Sequence, residues 1–271
     1  MPPRPRRSCL TVPASSVRML EKAAALEADE IVVDLEDGTA AGEKDTARAN
    51  LGAARARGTL AVRINGVGSR WWRDDLAAVR EHPPDVVVVP KVDSPDDIAA
   101  VLELLPPGTG LEAQIETARG LVEVERIAAI GPPLEALVFG PGDFAASIGA
   151  PVLTIGAGPS DYALARIVVA ARAFGLQPVA GPYAALDDAA GLRASAERAL
   201  ALGCDGMWAI HPAQIDVVND VFTPSPDELE RARRILAAAD GASSVDGAMV
   251  DAASKRLAEG VISRGGRPSA P

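Results

Sequence analysis

Short β-branched runs alternate with longer Ala-, Leu-, Arg- and Glu-rich segments of helical spacing along most of this 271-residue chain. That alternation is the pattern of repeated βα units around a parallel sheet. Strands are predicted at Ser8–Val12, Glu30–Asp34, Leu60–Ile64, Asp85–Pro90, Gly110–Ile115, Ala136–Phe139, Leu176–Ala180 and Gly206–Ile210. Helical segments follow, among them Ser16–Ala28, Glu43–Ala56, Trp71–Glu81, Pro95–Leu105 and Asp161–Phe174. The run VVVV at 86–89 is apolar without alternation, as expected of a strand covered on both faces. Eight such units favour closure into an α/β fold of the (β/α)8 barrel type over an open doubly wound sheet. The first βα turn, TVPASS, also lacks the GxGxxG that brings a backbone up to a pyrophosphate. Residues 1–222 are therefore read as the barrel. Residues 223–262, with a charged helix Asp227–Ala239, form a C-terminal helical extension, and the Gly/Pro/Ser-rich residues 263–271 form a flexible tail.

Composition narrows the function. The formal net charge of −10 argues against a polyanion partner, because nucleic-acid binders cluster Lys and Arg to displace phosphate counterions. A small organic substrate is the default, with no nucleic acid expected. Cys9 and Cys204 stand far apart with no CxxC or Cys/His spacing, which suggests neither a disulfide framework nor a zinc site. The start, MPPRPRRSCL, runs straight into a strand without a secretory apolar region, and no apolar stretch reaches the roughly 20 residues of a membrane helix. A cytoplasmic protein with no membrane contact is expected.

In a (β/α)8 barrel the chemistry sits at the carboxyl ends of the strands. Polar residues fall there strand after strand: Asp34, Glu36 and Asp37 after the second, Arg63 and Asn65 after the third, Lys91 after the fourth. Glu116 follows the fifth, with Arg119 nearby; Gly140, Pro141, Gly142 and Asp143 follow the sixth, and His211 the eighth. Any one of these could be a helix cap or turn residue. Five carboxylates converging on one rim are costly unless cations neutralise them. Mg²⁺, which takes one or two carboxylates with water and substrate oxygens, fits Glu116 and Asp143 as ligands, with Glu36 and Asp37 holding metal-bound waters. The competing reading is a rim salt bridge from Glu116 to Arg63 or Arg119. The GPGD turn lets backbone N–H groups approach a small α-oxoacid beside Arg63. Lys91, among acids that keep its pKa high, suits an ion pair better than a Schiff base. His82 is a solvated turn residue, and His211 orients the last barrel helix.

The segments RSCLTVPASSVRMLEKAAALEADEIVVDLEDGTAAGEKDTAR, AVRING, VVVPKV, QIETARGLVEVERIAA, LVFGPGDFAASIG and WAIHPAQIDVVNDVFTPSPDELERARRIL together resemble the citrate lyase beta subunit-like CoA-ester lyases. These belong to the HpcH/HpaI aldolase family, and the resemblance runs from about Arg7 to Leu257. It implies a TIM barrel, Mg²⁺ as cofactor, and reversible Claisen-type cleavage of malyl-, methylmalyl- or citramalyl-CoA to glyoxylate or pyruvate plus an acyl-CoA. It implies Glu116 and Asp143 as metal ligands, with Asp34, Glu36 and Lys91 supporting them. The catalytic set it implies is Arg63, Asp37 and Asp251. Asp251, in GAMVDAAS, would reach a neighbouring subunit's site, which requires a homo-oligomer, trimer or hexamer. CoA phosphates call for cations near the mouth; Arg7, Arg18, Lys22 and Lys44 are the candidates. Pro13-Ala14 replaces the PG of many relatives, Ala180 stands where an acid is common, and the stretch from Gly149 to Tyr162 is short for a malyl-CoA lyase. The alternatives are a malyl-CoA thioesterase, a malate synthase-like activity, or the beta subunit of a citrate lyase complex.

Overall fold

A computed structural model describes residues 4–151, 158–238 and 243–265. Residues 152–157 of the short stretch after Gly149 and the end of the predicted tail, 266–271, lie outside the described residues. Eight parallel strands close into a barrel in sequence order, with β8 pairing β1. They are β1 (Ser8–Pro13), β2 (Glu30–Asp34), β3 (Thr59–Arg63), β4 (Val86–Val89), β5 (Gly110–Ile115), β6 (Leu134–Phe139), β7 (Gln177–Ala180) and β8 (Gly206–Ala209). The connecting helices are α1 (Val17–Ala23), α2 (Lys44–Ala49), α3 (Trp72–Glu81), α4 (Pro95–Leu102), α5 (Ala118–Val122), α6 (Val124–Ala128), α7 (Pro141–Ser147), α8 (Pro159–Ala173), α9 (Ala189–Leu202) and α10 (Ile215–Phe222).

Side chains alternate along each strand between two cores. One set packs outward on the helices; the other, with Cys9, Val32, Ala61, Val88, Val138 and Trp208, fills the barrel. Helix α3 shows how a helix meets this surface: Trp72, Leu76 and Val79 bury one face at helical spacing. Truncating a residue such as Leu76 to Ala would cost about 2–5 kcal/mol. Local chemistry sets several helix starts. The Ser16 side chain accepts from the Met19 N–H, and Ser94 with Asp97 forms a capping box before α4.

Two expectations are corrected. The predicted helices Ser16–Ala28 and Glu43–Ala56 are shorter, because 3-10 turns at Ala41–Glu43 and Leu51–Ala53 flank α2 and the chain leaves α1 at Ala24. The extension is not purely helical: between α11 (Pro226–Ala237) and α12 (Ala252–Gly265) lies an antiparallel pair, β9 (Ser243–Val245) and β10 (Ala248–Val250). Its turn uses Asp246 and Gly247, both at positive φ, which suits a two-residue hairpin. Both cysteines are buried and free. Among the described residues no helix is long and apolar enough to cross a membrane.

A feature without a counterpart in the sequence reading closes the amino end of the barrel. Arg6, fully buried, donates to Glu30 at 3.2 Å, Glu112 at 2.5 Å and Glu135 at 2.7 Å, and also to Gln177.

Candidate active site

Asp34 and Arg63 are register partners at the carboxyl ends of β2 and β3. Arg63 grips Asp34 bidentately, Nε to Oδ1 at 2.8 Å and Nη2 to Oδ2 at 2.6 Å. This fork geometry is available to guanidinium and not to ammonium. Its remaining Nη1 lies 3.2 Å from Glu36 Oε2 and 3.4 Å from Gln114 Oε1. From below, the Trp208 ring supports the guanidinium, 5.3 Å from centroid to Cζ. Asp34 also folds the loop that follows it: its carboxylate accepts from the N–H of Glu36 at 2.8 Å and of Gly38 at 2.9 Å. Gly38 leaves room for this, since a Cβ there would collide with the Asp34 carboxylate.

Glu116, just past β5, is buried. Its Oε1 accepts from the Lys91 backbone N–H at 2.8 Å and its Oε2 from Gln114 Nε2 at 2.8 Å. The neighbouring strand end is Gly140, whose missing Cβ would occupy the space of the Glu116 side chain. Its φ of −104° is ordinary, so close approach and not backbone freedom demands glycine there. Pro141 opens α7 and places the half-exposed Asp143 in its first turn, over the same cleft as Glu116. The Lys91 ammonium holds Glu36 and, at 3.0 Å, Asp37, and lies 3.8 Å from Asp143.

The electrostatics are those of a site short of positive charge. Burial, then the charges of Glu36 and Asp143, push the Glu116 carboxyl up to about 8, against the pull of the Lys91 N–H and Arg63. Burial also raises Glu36, although Arg63 and Lys91 oppose it. Asp37 is partly desolvated, yet the hydrogen bond from Lys91 holds it below its ordinary value. With every group ionised, five carboxylates (Asp34, Glu36, Asp37, Glu116, Asp143) would face three cations, Arg63, Lys91 and Lys44, and leave an excess of two negative charges, which protonation of Glu116 relieves in part. One divalent cation would match that excess. Among the described residues no three His, Cys, Asp or Glu side chains converge as a ready-made metal cage. Mg²⁺ does not need one: two hard oxygen donors plus water and substrate suffice, and Glu116 and Asp143 fit that donor set.

A cleft of about 240 Å³ gathers these groups at the carboxyl end of the barrel. Asp37, Arg63, Glu116, Gly140, Gly142 and Asp143 line it, as does Pro141. Arg63 pairs with Asp34 and Glu36, and no salt bridge joins it to Glu116. Arg119 is exposed and also stays off Glu116. His82 is exposed, and His211 caps the turn before α10, accepting from the Ala213 N–H at 3.2 Å. Asp251 lies exposed at the start of α12, where Ser254 N–H donates to it at 2.7 Å and lowers its pKa; it does not line the cleft of its own chain.

Of the four cations proposed for CoA, two are corrected. Arg7 precedes β1, on the amino end of the barrel away from the cleft, and is tied to Asp29 at 2.7 Å and Thr223 at 2.8 Å. Lys44 is buried, its Nζ donating to Leu35 O, Glu36 O and Asn65 Oδ1 at 2.6–2.8 Å, so it pins the loop after β2 and has no donor free for a phosphate. Arg18 and Lys22 are exposed on α1, whose first turn rises from the carboxyl end of β1. Gln114, Thr11 and Trp208 also line the cleft and were not singled out from the sequence. For Gln114 a signal existed: Glu112, Gln114 and Glu116 are polar at every second position of GLEAQIE, the period of one strand face.

Comparison with known proteins gives a consistent neighbourhood. Residues 7–212 match the family model described as HpcH/HpaI aldolase/citrate lyase. The chain is 41% identical over 259 residues to a (3S)-malyl-CoA thioesterase of Cereibacter sphaeroides, covering 91% of this chain and 90% of that protein. It is 38% identical over 301 aligned positions to an L-malyl-CoA/beta-methylmalyl-CoA lyase of the same species, covering 96% and 95%. Among solved structures, CitE of Mycobacterium tuberculosis in complex with magnesium, acetoacetate and coenzyme A superposes with a TM-score of 0.85. The identity is 34%, over 96% of this chain and 97% of that one.

Proposed function

The chain belongs to the HpcH/HpaI aldolase/citrate lyase family, and from that premise we propose that it is a Mg²⁺-dependent carbon–carbon lyase acting on a CoA ester. The substrate is a β-hydroxyacyl-CoA of the malyl, β-methylmalyl or citramalyl type, cleaved reversibly in the Claisen sense to glyoxylate or pyruvate plus an acyl-CoA. The observation that carries this reading is the Glu116–Asp143 carboxylate pair set over Arg63 in one cleft at the carboxyl end of the barrel.

Held by Glu116 and Asp143, Mg²⁺ would supply Lewis-acid polarisation of the oxoacid carbonyl. Arg63, locked by Asp34 and Trp208, holds Nη1 against Glu36 at 3.2 Å and Gln114 at 3.4 Å, and would share it with the oxygen on which negative charge develops. Such a donor is already oriented, so no reorganisation is needed as the bond breaks. Asp37 lines the cleft and is kept ionised by Lys91; it accepts the substrate's hydroxyl proton as that oxygen becomes the oxoacid carbonyl. The electrons of the broken C–C bond pass to the acyl-CoA α-carbon as a thioester enolate. Asp251 of a neighbouring copy protonates that carbon, its carboxyl desolvated by docking over the cleft. A homo-oligomer, trimer or hexamer, is part of this reading, because Asp251 does not line its own chain's cleft. Arg18 and Lys22 on α1 remain as cations for the CoA phosphates.

One observation favours a second reading. The thioesterase relative aligns at higher identity and with fewer extra positions than the lyase alignment needs. Hydrolysis would yield malate and free CoA, with no oxoacid. Incubating the protein with each CoA ester, with and without EDTA, and measuring oxoacid, acyl-CoA and free CoA separates the two. Equimolar oxoacid and acyl-CoA, abolished by EDTA, is expected. Free CoA without oxoacid moves the reaction to hydrolysis, and cleavage that survives complete metal removal overturns the proposal.

A further inference from the structure

The cleft at the carboxyl end of the barrel has two unlike sides. Its ionisable and amide side chains, Asp37, Arg63, Gln114, Glu116 and Asp143, come from β2, β3, β5, β6 and the turns after them. The arc after β7 and β8 contributes Pro182, Ala184 and Ile210. Pro141 adjoins that arc, since a Cβ on Gly181 would collide with its ring. Ala184 and Ile210 are exposed, Ile210 at 41%, and so are open to a molecule in the cleft.

One buried side chain ties this arc together. Gln214, 3% exposed in the 3-10 turn before α10, accepts from the Ile210 N–H at 2.8 Å and donates to the Tyr183 carbonyl at 2.9 Å. Ile210 follows β8, and Tyr183 stands between Pro182 and Ala184 in the loop after β7. Both ends of the amide are therefore spent on the backbone of the two loops that carry the apolar residues. Tyr183 is also fixed through its ring: its hydroxyl donates to Asp188 Oδ2 at 2.7 Å, and Asp188 Oδ1 caps α9 by accepting from the Gly191 N–H at 2.8 Å. The ladder between β7 and β8 ends at Ala180 and Met207, short of both loops, and Gln214 joins them beyond it. Water could satisfy the Ile210 N–H and the Tyr183 carbonyl one by one, but a single side chain spanning both also fixes the separation of the loops.

We propose that Gln214 is a positioning residue that braces an apolar wall, Pro182, Ala184 and Ile210, and that this wall takes the third substituent of the 2-oxoacid and selects pyruvate over glyoxylate. The inference deepens the lyase reading and rests on it for the identity of the ligand. A 2-oxoacid spends its carboxylate and carbonyl oxygens on polar partners, and in this cleft those stand on the β2–β6 side. Its remaining substituent, hydrogen in glyoxylate and methyl in pyruvate, then turns to the apolar side. In an apolar pocket one methyl group is worth roughly tenfold or more in discrimination. That gain requires the wall to be held in contact with the methyl, which is what Gln214 and the Tyr183–Asp188 bond supply. Among the CoA esters considered, the favoured one is citramalyl-CoA, which releases pyruvate.

The test measures binding of pyruvate and of glyoxylate to the full-length, Mg²⁺-loaded protein by calorimetry, with Mg²⁺ binding and thermal unfolding recorded separately. Wild type is compared with Gln214→Leu, Ile210→Ala, their double variant and Tyr183→Phe. The wild type is expected to bind pyruvate roughly tenfold more tightly than glyoxylate. Gln214→Leu and Ile210→Ala should each cut that preference to roughly twofold by weakening pyruvate alone, with Mg²⁺ affinity unchanged. In the double variant the two losses should not add, because the glutamine acts through the wall. Tyr183→Phe keeps the ring but frees the same loop from Asp188; it should move the preference in the same direction, and it decides the matter if Gln214→Leu does not fold. A merely structural glutamine predicts a lowered melting temperature with the pyruvate-to-glyoxylate ratio kept, and that result overturns the proposal. Equal binding of the two acids by the wild type overturns it as well. These shifts in a protein that cleaves no CoA ester would remove the lyase reading and leave this one standing. Cleavage of CoA esters with an unchanged ratio in every variant would do the reverse.

Discussion

Lys91 holds Glu116 through its backbone: its N–H donates to Glu116 Oε1 at 2.8 Å while Lys91 sits at φ 52°. A left-handed, non-glycine residue two positions past β4 turns the amide toward Glu116 and sends the ammonium the other way, to Glu36 and Asp37. One residue thus serves three carboxylates, at the cost of a backbone conformation that L side chains disfavour by about 1–2 kcal/mol. Lys91→Gly and Lys91→Ala both lose the ammonium, but only glycine relieves the backbone. Urea unfolding should find the glycine variant the more stable of the two by about 1 kcal/mol, less a few tenths for its greater unfolded-state freedom. Equal stabilities would mean that the left-handed turn carries no strain.

Metal binding should release protons near neutrality. In the metal-free protein the Glu116 carboxyl titrates at about 8, raised by burial and then by Glu36 and Asp143. At pH 7 it is mostly protonated, and a cation must displace that proton to use the carboxylate. Mg²⁺ affinity is therefore expected to rise with pH up to about 8 and then level off. For the metal-free fold the sign is opposite: a raised folded value gives stability that is full below the unfolded value, about 4.3, and is lost as pH rises through the folded one. Calorimetry of Mg²⁺ binding at pH 7 in two buffers of different ionisation heat measures the proton release. No buffer dependence would contradict the raised carboxyl.

Asp143 and Glu116 should fail differently when neutralised. Asp143 is 45% exposed in its side chain and only approaches the Lys91 ammonium, at 3.8 Å, so Asp143→Asn should leave the melting temperature nearly unchanged. Glu116 is buried among like charges, so Glu116→Gln should raise the stability of the metal-free protein while leaving one Gln114 or Lys91 contact to rearrange. Both should lose Mg²⁺ binding and drop turnover by about 10²–10³-fold or more, the scale of losing one preorganised electrostatic contact. Turnover retained in Asp143→Asn would remove it as a ligand.

The barrel itself was legible because strand periodicity, helix spacing and unit count agree. Strands β2 and β5 have the bounds that the pattern predicts, and the others differ by one or two residues at one or both ends. The rim was legible for a physical reason: a polar residue following an apolar strand points to the carboxyl end whatever the register of the neighbours. What the sequence hid depends on depth and on partners. Arg7 and Lys44 look alike as cations near strands one and two, yet one precedes its strand and lies at the opposite end. The other is swallowed by three oxygen acceptors. Thr11 and Trp208 look like strand residues of a packed core, and only closure of the barrel brings them into one cleft with Arg63. The β9–β10 hairpin is too short to show as a period.

Arg6 supplies the sharpest stability test, because it is the counter-charge for two carboxylates that are as buried as it is. Its Nε reaches Glu30 at 3.2 Å and Glu112 at 2.5 Å, and all three side chains are 0% exposed. Burial and the neighbouring Glu112 charge already push the Glu30 carboxyl well above the usual carboxylate range. Removing Arg6 leaves both acids in the barrel with no cation between them, so Arg6→Met should destabilise by about 3–5 kcal/mol, the cost of breaking one side of a buried ion pair. Adding Glu30→Gln and Glu112→Gln to that variant removes the stranded charges and should recover a large part of the loss. Urea unfolding of the three proteins decides it. If the single variant unfolds at the wild-type midpoint, or the triple variant is no more stable than the single one, the amino end of the barrel is not held by charge.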